Sequence, residues 1–200
     1  MKRATPALTA FTLIELLIVI SIIAVLMGIA FPVFQAVQES AKKVQAKNDL
    51  VQIVTAVNAF YTEYGKYPLP TGTSGEEYVY GSSGSTKILF DSLRGLDPTA
   101  NPRQIEFIKP PDAKDQANPR GGMGITDGQF YDPWSKPYLV SIDADYNNEV
   151  TNPYTSNAGA VPRLRAGVIA WSLGKDKAGA SPTGGDKKSG VFADDIISWQ

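Results

Sequence analysis

A chain of 200 residues predicts one globular unit with room for an appendage. Its 43% hydrophobic and 20% charged content, with 19 basic against 20 acidic residues, excludes the disordered class and the strongly basic nucleic-acid binders, so no nucleic acid is expected as a partner. Cysteine and histidine are both absent, which removes disulfides, thiolate or imidazole metal sites and histidine-dependent triads, leaving carboxylates, Lys, Tyr, Ser and Thr as the only candidate catalysts.

Residues 1–10 carry Lys2 and Arg3, a positive flank expected to stay in the cytoplasm. Leu16 to Phe34 follows as 19 residues without a charge, long enough to cross a bilayer as a helix. No small-residue cleavage site stands after Phe34, so residues 11–34 are predicted to remain as a transmembrane helix. Glu15 sits at the edge of this run. A carboxylate near the bilayer centre costs about 2.5–3.5 kcal/mol, which makes Glu15 a functional residue by default; the plain alternative is an interfacial side chain among headgroups. Gly28 and Pro32 predict a place where the helix kinks or loosens.

Residues 35–64 read as an amphipathic continuation of the helix. Leu50, Val54, Val57, Tyr61 and Tyr64 step by 4, 3, 4 and 3 along one stripe, with Lys42, Lys43, Gln45, Lys47 and Asp49 mostly off it. Gly65, with Pro68 shortly after, predicts the helix end. From Gly65 onward the chain is rich in Gly and Pro, so residues 65–200 are expected to form a loop-rich globular domain. Within it, Ser85–Leu93 predicts a short helix capped by Ser85, and Ile105–Ile108, Tyr138–Ile142 and Val168–Leu173 predict strands. The fold class is therefore α+β, a long N-terminal helix packed on a small antiparallel sheet with a loop-rich C-terminal region. Asp143 to Glu149 alternates oxygen side chains like the start of an EF-hand loop, but Gly is missing from the sixth position and Tyr154 occupies the twelfth, so a turn is expected. Tyr61, Tyr64, Tyr67, Trp134, Tyr138 and Trp171 are read as core packing under the sheet rather than a sugar-binding face.

The segment Phe11-Thr12-Leu13-Ile14-Glu15-Leu16-Leu17-Ile18-Val19-Ile20, after a short basic leader, closely resembles the cleavage and methylation motif of type IV pilins and type II secretion pseudopilins. The resemblance implies a pilin-like fold, with a prepilin peptidase cutting between Ala10 and Phe11 and N-methylating Phe11. Ala10 stands where the family usually has Gly. Cleavage would leave a cationic amine at Phe11, for which Glu15 on a neighbouring helix is the natural partner in a low-dielectric bundle.

Further along, Tyr64-Gly65-Lys66-Tyr67-Pro68, Asp132-Pro133-Trp134-Ser135-Lys136-Pro137-Tyr138, and Ser172-Leu173-Gly174-Lys175-Asp176 with Asp194-Asp195-Ile196 and Trp199 look like the major pseudopilin of type II secretion systems. That resemblance implies a calcium site made by the carbonyl of Leu173 and the side chains of Asp176, Asp194 and Asp195. Three carboxylates and a carbonyl are the hard oxygens calcium takes. The loop from Asp176 to Asp194 is longer than the family usually has, and its Lys177, Lys187 and Lys188 offer another way to neutralise the aspartates.

The implied protein is no enzyme but a filament subunit of the bacterial inner membrane, crossing once, with its C-terminal domain in the periplasm. Its implied partners are the prepilin peptidase, identical subunits in a helical filament, minor pseudopilins, the inner-membrane assembly platform and the lipid bilayer. Two alternatives stay open: a type IV pilin of a surface fibre for adhesion, motility or DNA uptake, and a membrane-anchored hydrolase using Asp176 with Asp194 or Asp195 as a carboxylate pair.

Overall fold

The computed structural model describes residues 11–82, 85–159, 162–179 and 184–200. The chain divides into two compact units, residues 1–41 and 42–200. Helix α1, Leu13–Tyr64, contributes to both.

Within the first unit the helix is bare. Large apolar side chains from Phe11 to Val37 are exposed, and this is a helix long and apolar enough to span a membrane. It runs unbroken through Pro32, so the kink expected from Gly28 and Pro32 does not interrupt the helical assignment.

In the second unit α1 acquires a buried face of Ala46, Leu50, Ile53, Val57 and Phe60, a 4-3-4-3 stripe, with Asp49 and Ala56 also buried. The predicted stripe shares only Leu50 and Val57 with it. Tyr61 is exposed, while Val54 and Tyr64 lie at the margin of the core. The helix ends where expected: Gly65 takes φ +65° and its N–H donates to the Tyr61 carbonyl at 2.8 Å, a left-handed C-terminal cap.

The stripe packs on a four-stranded antiparallel sheet of order β1-β4-β7-β8, made by Glu77–Tyr80 (β1), Leu139–Asp143 (β4), Val168–Ser172 (β7) and Ile196–Ile197 (β8). Two short antiparallel pairs flank it, Gly122–Met123 (β2) with Phe130–Tyr131 (β3) and Val150–Thr151 (β5) with Arg163–Leu164 (β6). Period-2 alternation divides the central strands between two cores. Val140, Ile142, Val168 and Ala170 join the helix side, whereas Leu139, Ile169 and Trp171 join Tyr154, Ala158 and Leu164 on the other. With both faces covered, β4 and β7 are buried at every position.

Helix α2 covers Thr86–Leu93, and Ser85 caps it by accepting from the Lys87 N–H at 3.1 Å, as predicted. The predicted strand Ile105–Ile108 is a loop. Its amides are taken elsewhere: Phe107 N–H donates to the Leu93 carbonyl at 2.8 Å, and Ile105 N–H to Asn101 Oδ1 at 3.0 Å, leaving no ladder to join. The Asp143–Glu149 segment is a turn organised by Asp143, which accepts from the amides of Tyr146 and Asn148.

Candidate functional site

Phe11 is 75% exposed, and Ala10 lies outside the described residues. One residue on, the chain builds a capping box. The Thr12 N–H and hydroxyl donate to Glu15 Oε2 at 2.9 and 2.6 Å, and the Glu15 N–H returns to Thr12 Oγ1 at 3.3 Å. Glu15 therefore has a local partner at the mouth of the helix, a role that the Thr12-Leu13-Ile14-Glu15 spacing could have revealed. Ser21, the one polar side chain in the uncharged run, is absorbed by a bond to the Leu17 carbonyl at 2.7 Å.

Of the three segments that carried the finer resemblance, the second and third are tied to each other by a hydrogen bond. Asp132 is buried; its Oδ1 accepts from the amides of Trp134 and Lys136 at 2.9 and 2.8 Å, which fixes the turn from β3 to β4. Its Oδ2 accepts from the Ser172 hydroxyl at 2.6 Å, joining that turn to the end of β7. Burial raises the Asp132 carboxyl above its ordinary range, against the opposing effect of these bonds. At the end of α1, Tyr67 stacks on Tyr61 with centroids 4.5 Å apart, and Tyr80 donates to the Pro68 carbonyl at 2.5 Å. Trp134, Tyr138 and Trp171 are core residues.

Beyond Ser172 the chain turns at Gly174, where φ is +65° and an added Cβ would lie 2.5 Å from the Asp194 carbonyl oxygen, so only glycine fits. Asp194 Oδ2 accepts from the amides of Lys175 and Asp176 at 2.6 and 3.0 Å, and Asp176 Oδ1 from the Ala178 amide at 2.8 Å. Asp195 is buried and accepts from the Tyr154 hydroxyl at 2.8 Å through Oδ2, while its buried Oδ1 has no hydrogen-bond partner among the described residues. Burial pushes the Asp195 carboxyl up to about 7, with the charges of Asp194 and Asp176 adding to the rise and Lys187 opposing it.

An orphaned carboxylate oxygen beside two further aspartates and the half-buried Leu173 has the chemistry of a calcium site. Even so, no group of three or more Asp, Glu, His or Cys side chains that could hold a metal ion occurs among the described residues. Lys187 is the cation present: burial lowers its ammonium, Asp195 and Asp194 raise it, and its Nζ reaches the Ala193 carbonyl at 3.5 Å. Of the other two lysines in the loop, Lys177 acts on Asp132, and Lys188 uses its backbone amide to bond Asp186.

Sequence patterning missed how the last residues are held. Lys47, placed off the apolar stripe, donates its ammonium to the carbonyls of Ile197 at 2.7 Å and Ser198 at 3.4 Å and also bonds the Gln200 oxygen. Ser198 exchanges two bonds with Ala170, and Trp199 Nε1 donates to the Ala158 carbonyl at 2.6 Å. Without cysteine, the segment after Asp195 is held by the β7–β8 ladder together with Lys47, Ser198 and Trp199.

The prokaryotic N-terminal methylation motif matches residues 9–31. A stretch of 66 residues is 41% identical to a type IV major pilin protein, PilA, of Myxococcus xanthus (strain DK1622), covering 33% of this chain and 30% of that pilin. No solved structure matches the chain. The motif and this similarity make the chain type IV pilin-like, with an N-terminal apolar helix that fits a single-pass membrane anchor.

Proposed function

We propose that this type IV pilin-like chain is a structural subunit of a membrane-rooted, pilus-like filament, and that the filament is the piston of a type II secretion system, with this chain as its major pseudopilin. The observation that carries the filament is the run of exposed apolar side chains from Phe11 to Val37, overlapped by the methylation motif at residues 9–31. After the prepilin peptidase cuts between Ala10 and Phe11, the Phe11 amine of one subunit meets Glu15 of another, and the globular domain projects into the periplasm. The inner-membrane platform and minor pseudopilins complete the machine, and no residue does bond chemistry.

The cysteine-free closure of the C-terminal segment supports the pseudopilin reading. In it, calcium would be held by the Leu173 carbonyl, Asp176, Asp194 and Asp195; its charge would engage the orphaned Asp195 oxygen and draw the three carboxylates together. The similarity to PilA favours a second reading, a type IV pilin of a surface fibre.

Deleting the gene separates the two. Stalled export of periplasmic proteins with surface fibres intact supports the piston; loss of fibres with export intact overturns it in favour of the pilus. Loss of neither contradicts the filament itself.

A further inference from the structure

Two surface pockets flank α1 where it begins the second unit. One, of about 360 Å³, is lined by Lys42, Lys114 and Arg120. The other, of about 610 Å³, is lined by Lys43, Lys47 and Lys187. Six cations line the two pockets: Lys42, Lys43 and Lys47 within less than two turns of α1, and Lys114, Arg120 and Lys187 from other stretches of chain. Lys47 already donates to the carbonyls of Ile197 and Ser198, and Lys187 faces Asp195, so Lys43, Lys114 and Arg120 are the exposed cations of this surface, with Asp112 the carboxylate beside the last two. Between the lysines, Val44 and Val51 lie 68% and 47% exposed in the second pocket. The surface is cationic with apolar side chains set into it.

Orientation supplies an independent observation. Lys and Arg close to a span favour the cytoplasmic side. With Lys2 and Arg3 there, Lys42, Lys43 and Lys47 lie on the far side of the run ending at Phe34, where they oppose the orientation they accompany. Keeping three lysines at that cost calls for a use on the far side.

We propose that this cationic face is a docking surface for the anionic phospholipid bilayer, which it grips through lipid phosphates while Val44 and Val51 rest among the headgroups. The inference depends on Leu16–Phe34 spanning the membrane. Seven residues, 35–41, separate Phe34 from Lys42, and the eight Cα steps span at most about 29 Å fully extended, so Lys42 stays tethered close to the bilayer. Before assembly into a filament a second copy is met only by diffusion, whereas the bilayer is tethered to the chain, which favours the lipid. Each Lys or Arg held at an anionic surface favours adsorption by about fivefold, an effect that salt screens.

The test uses the full chain in vesicles of phosphatidylcholine alone or mixed with phosphatidylglycerol. Acetylation rates of Lys43 and Lys114 are followed by mass spectrometry, with exposed Lys66 and Lys109 as internal references. The proposal expects at least about fivefold slower labelling in the anionic vesicles, lost at about 1 M salt, where the screening length is about 3 Å. Lys114→Glu with Arg120→Glu, both exposed, should restore the Lys43 rate while the melting curve stays unchanged. Equal rates in the two lipids overturn the proposal. So does protection in both lipids that fades as protein is diluted in the bilayer, which assigns the face to a second copy. A chain that co-floats with neither vesicle refutes the span, and this inference with it.

Discussion

The hydroxyl of Tyr138 donates to Asp49 Oδ2 at 2.8 Å across 89 residues of sequence, joining α1 to the start of β4 inside the core. The Asp49 carboxyl is pushed up to about 6, first by burial and also by the charge of Asp132, with the Tyr138 bond acting against them. Tyr138→Phe leaves the buried carboxyl without this donor and should cost about 1–3 kcal/mol. For a domain of this size that is a fall of about 2–4 °C in Tm per kcal/mol, read by circular dichroism.

The same carboxyl gives stability a pH dependence of known sign. A carboxyl with a folded pKa of about 6 and an ordinary value of 3.8 holds more protons folded than unfolded between those values. Its contribution is fully present below about pH 4 and is lost as pH rises through about 6. Asp49→Asn should gain on the native protein as pH rises across that window and hold a constant lead above it. A Tm difference that does not change with pH would remove Asp49 as the source.

Lys47→Met deletes the ammonium that gathers the carbonyls of Ile197 and Ser198. Hydrogen bonds to a charged donor are worth about 1.5–3 kcal/mol, so Tm should fall and the segment after Asp195 should become the first site of limited proteolysis. An unchanged cleavage pattern would show that the β7–β8 ladder, Ser198 and Trp199 hold the segment without Lys47.

Much of the fold was legible where the signal is local. Gly65, Ser85 and the β-branched runs of β4 and β7 announce themselves because a cap or a strand is decided within a few residues. The core face of α1 was phased wrongly because Asp49 reads as a surface residue until Tyr138 is brought to it. Lys47 does lie off the buried stripe, but its hold on the C-terminal segment is not readable locally, since its acceptors lie about 150 residues away. Ile105–Ile108 has strand composition, but Asn101 and Leu93 take its amides. At the candidate site, the motif around Phe11 and Glu15 stood in the sequence. The Thr12–Glu15 capping box stood there too, in the spacing Thr12-Leu13-Ile14-Glu15.

That capping box makes Glu15 separable into two roles. Gln keeps the capping geometry and loses the charge, whereas Ala loses both. If Glu15 neutralises the Phe11 amine of a neighbour, both Glu15→Gln and Glu15→Ala should lower filament yield at constant membrane level. Normal yield from Glu15→Gln, with loss in Glu15→Ala, would reduce Glu15 to a cap.

Calcium at the C-terminal closure predicts a linkage effect. Binding to the folded state alone adds RT ln(1 + [L]/Kd), about 2.7 kcal/mol at one hundred times Kd, so Tm should climb with calcium, fall in chelator, and stop responding in Asp194→Ala. A melting curve indifferent to calcium and chelator assigns the aspartates to Lys187.

The proposed subunit is cut, methylated and assembled through its new N-terminus, and the mass of the N-terminal peptide tests this most directly. Protein extracted from membranes and from sheared filaments should begin at Phe11, one methyl group heavier than the unmodified residue. An intact Met1 in assembled protein, or a chain beginning after Phe34, would contradict it.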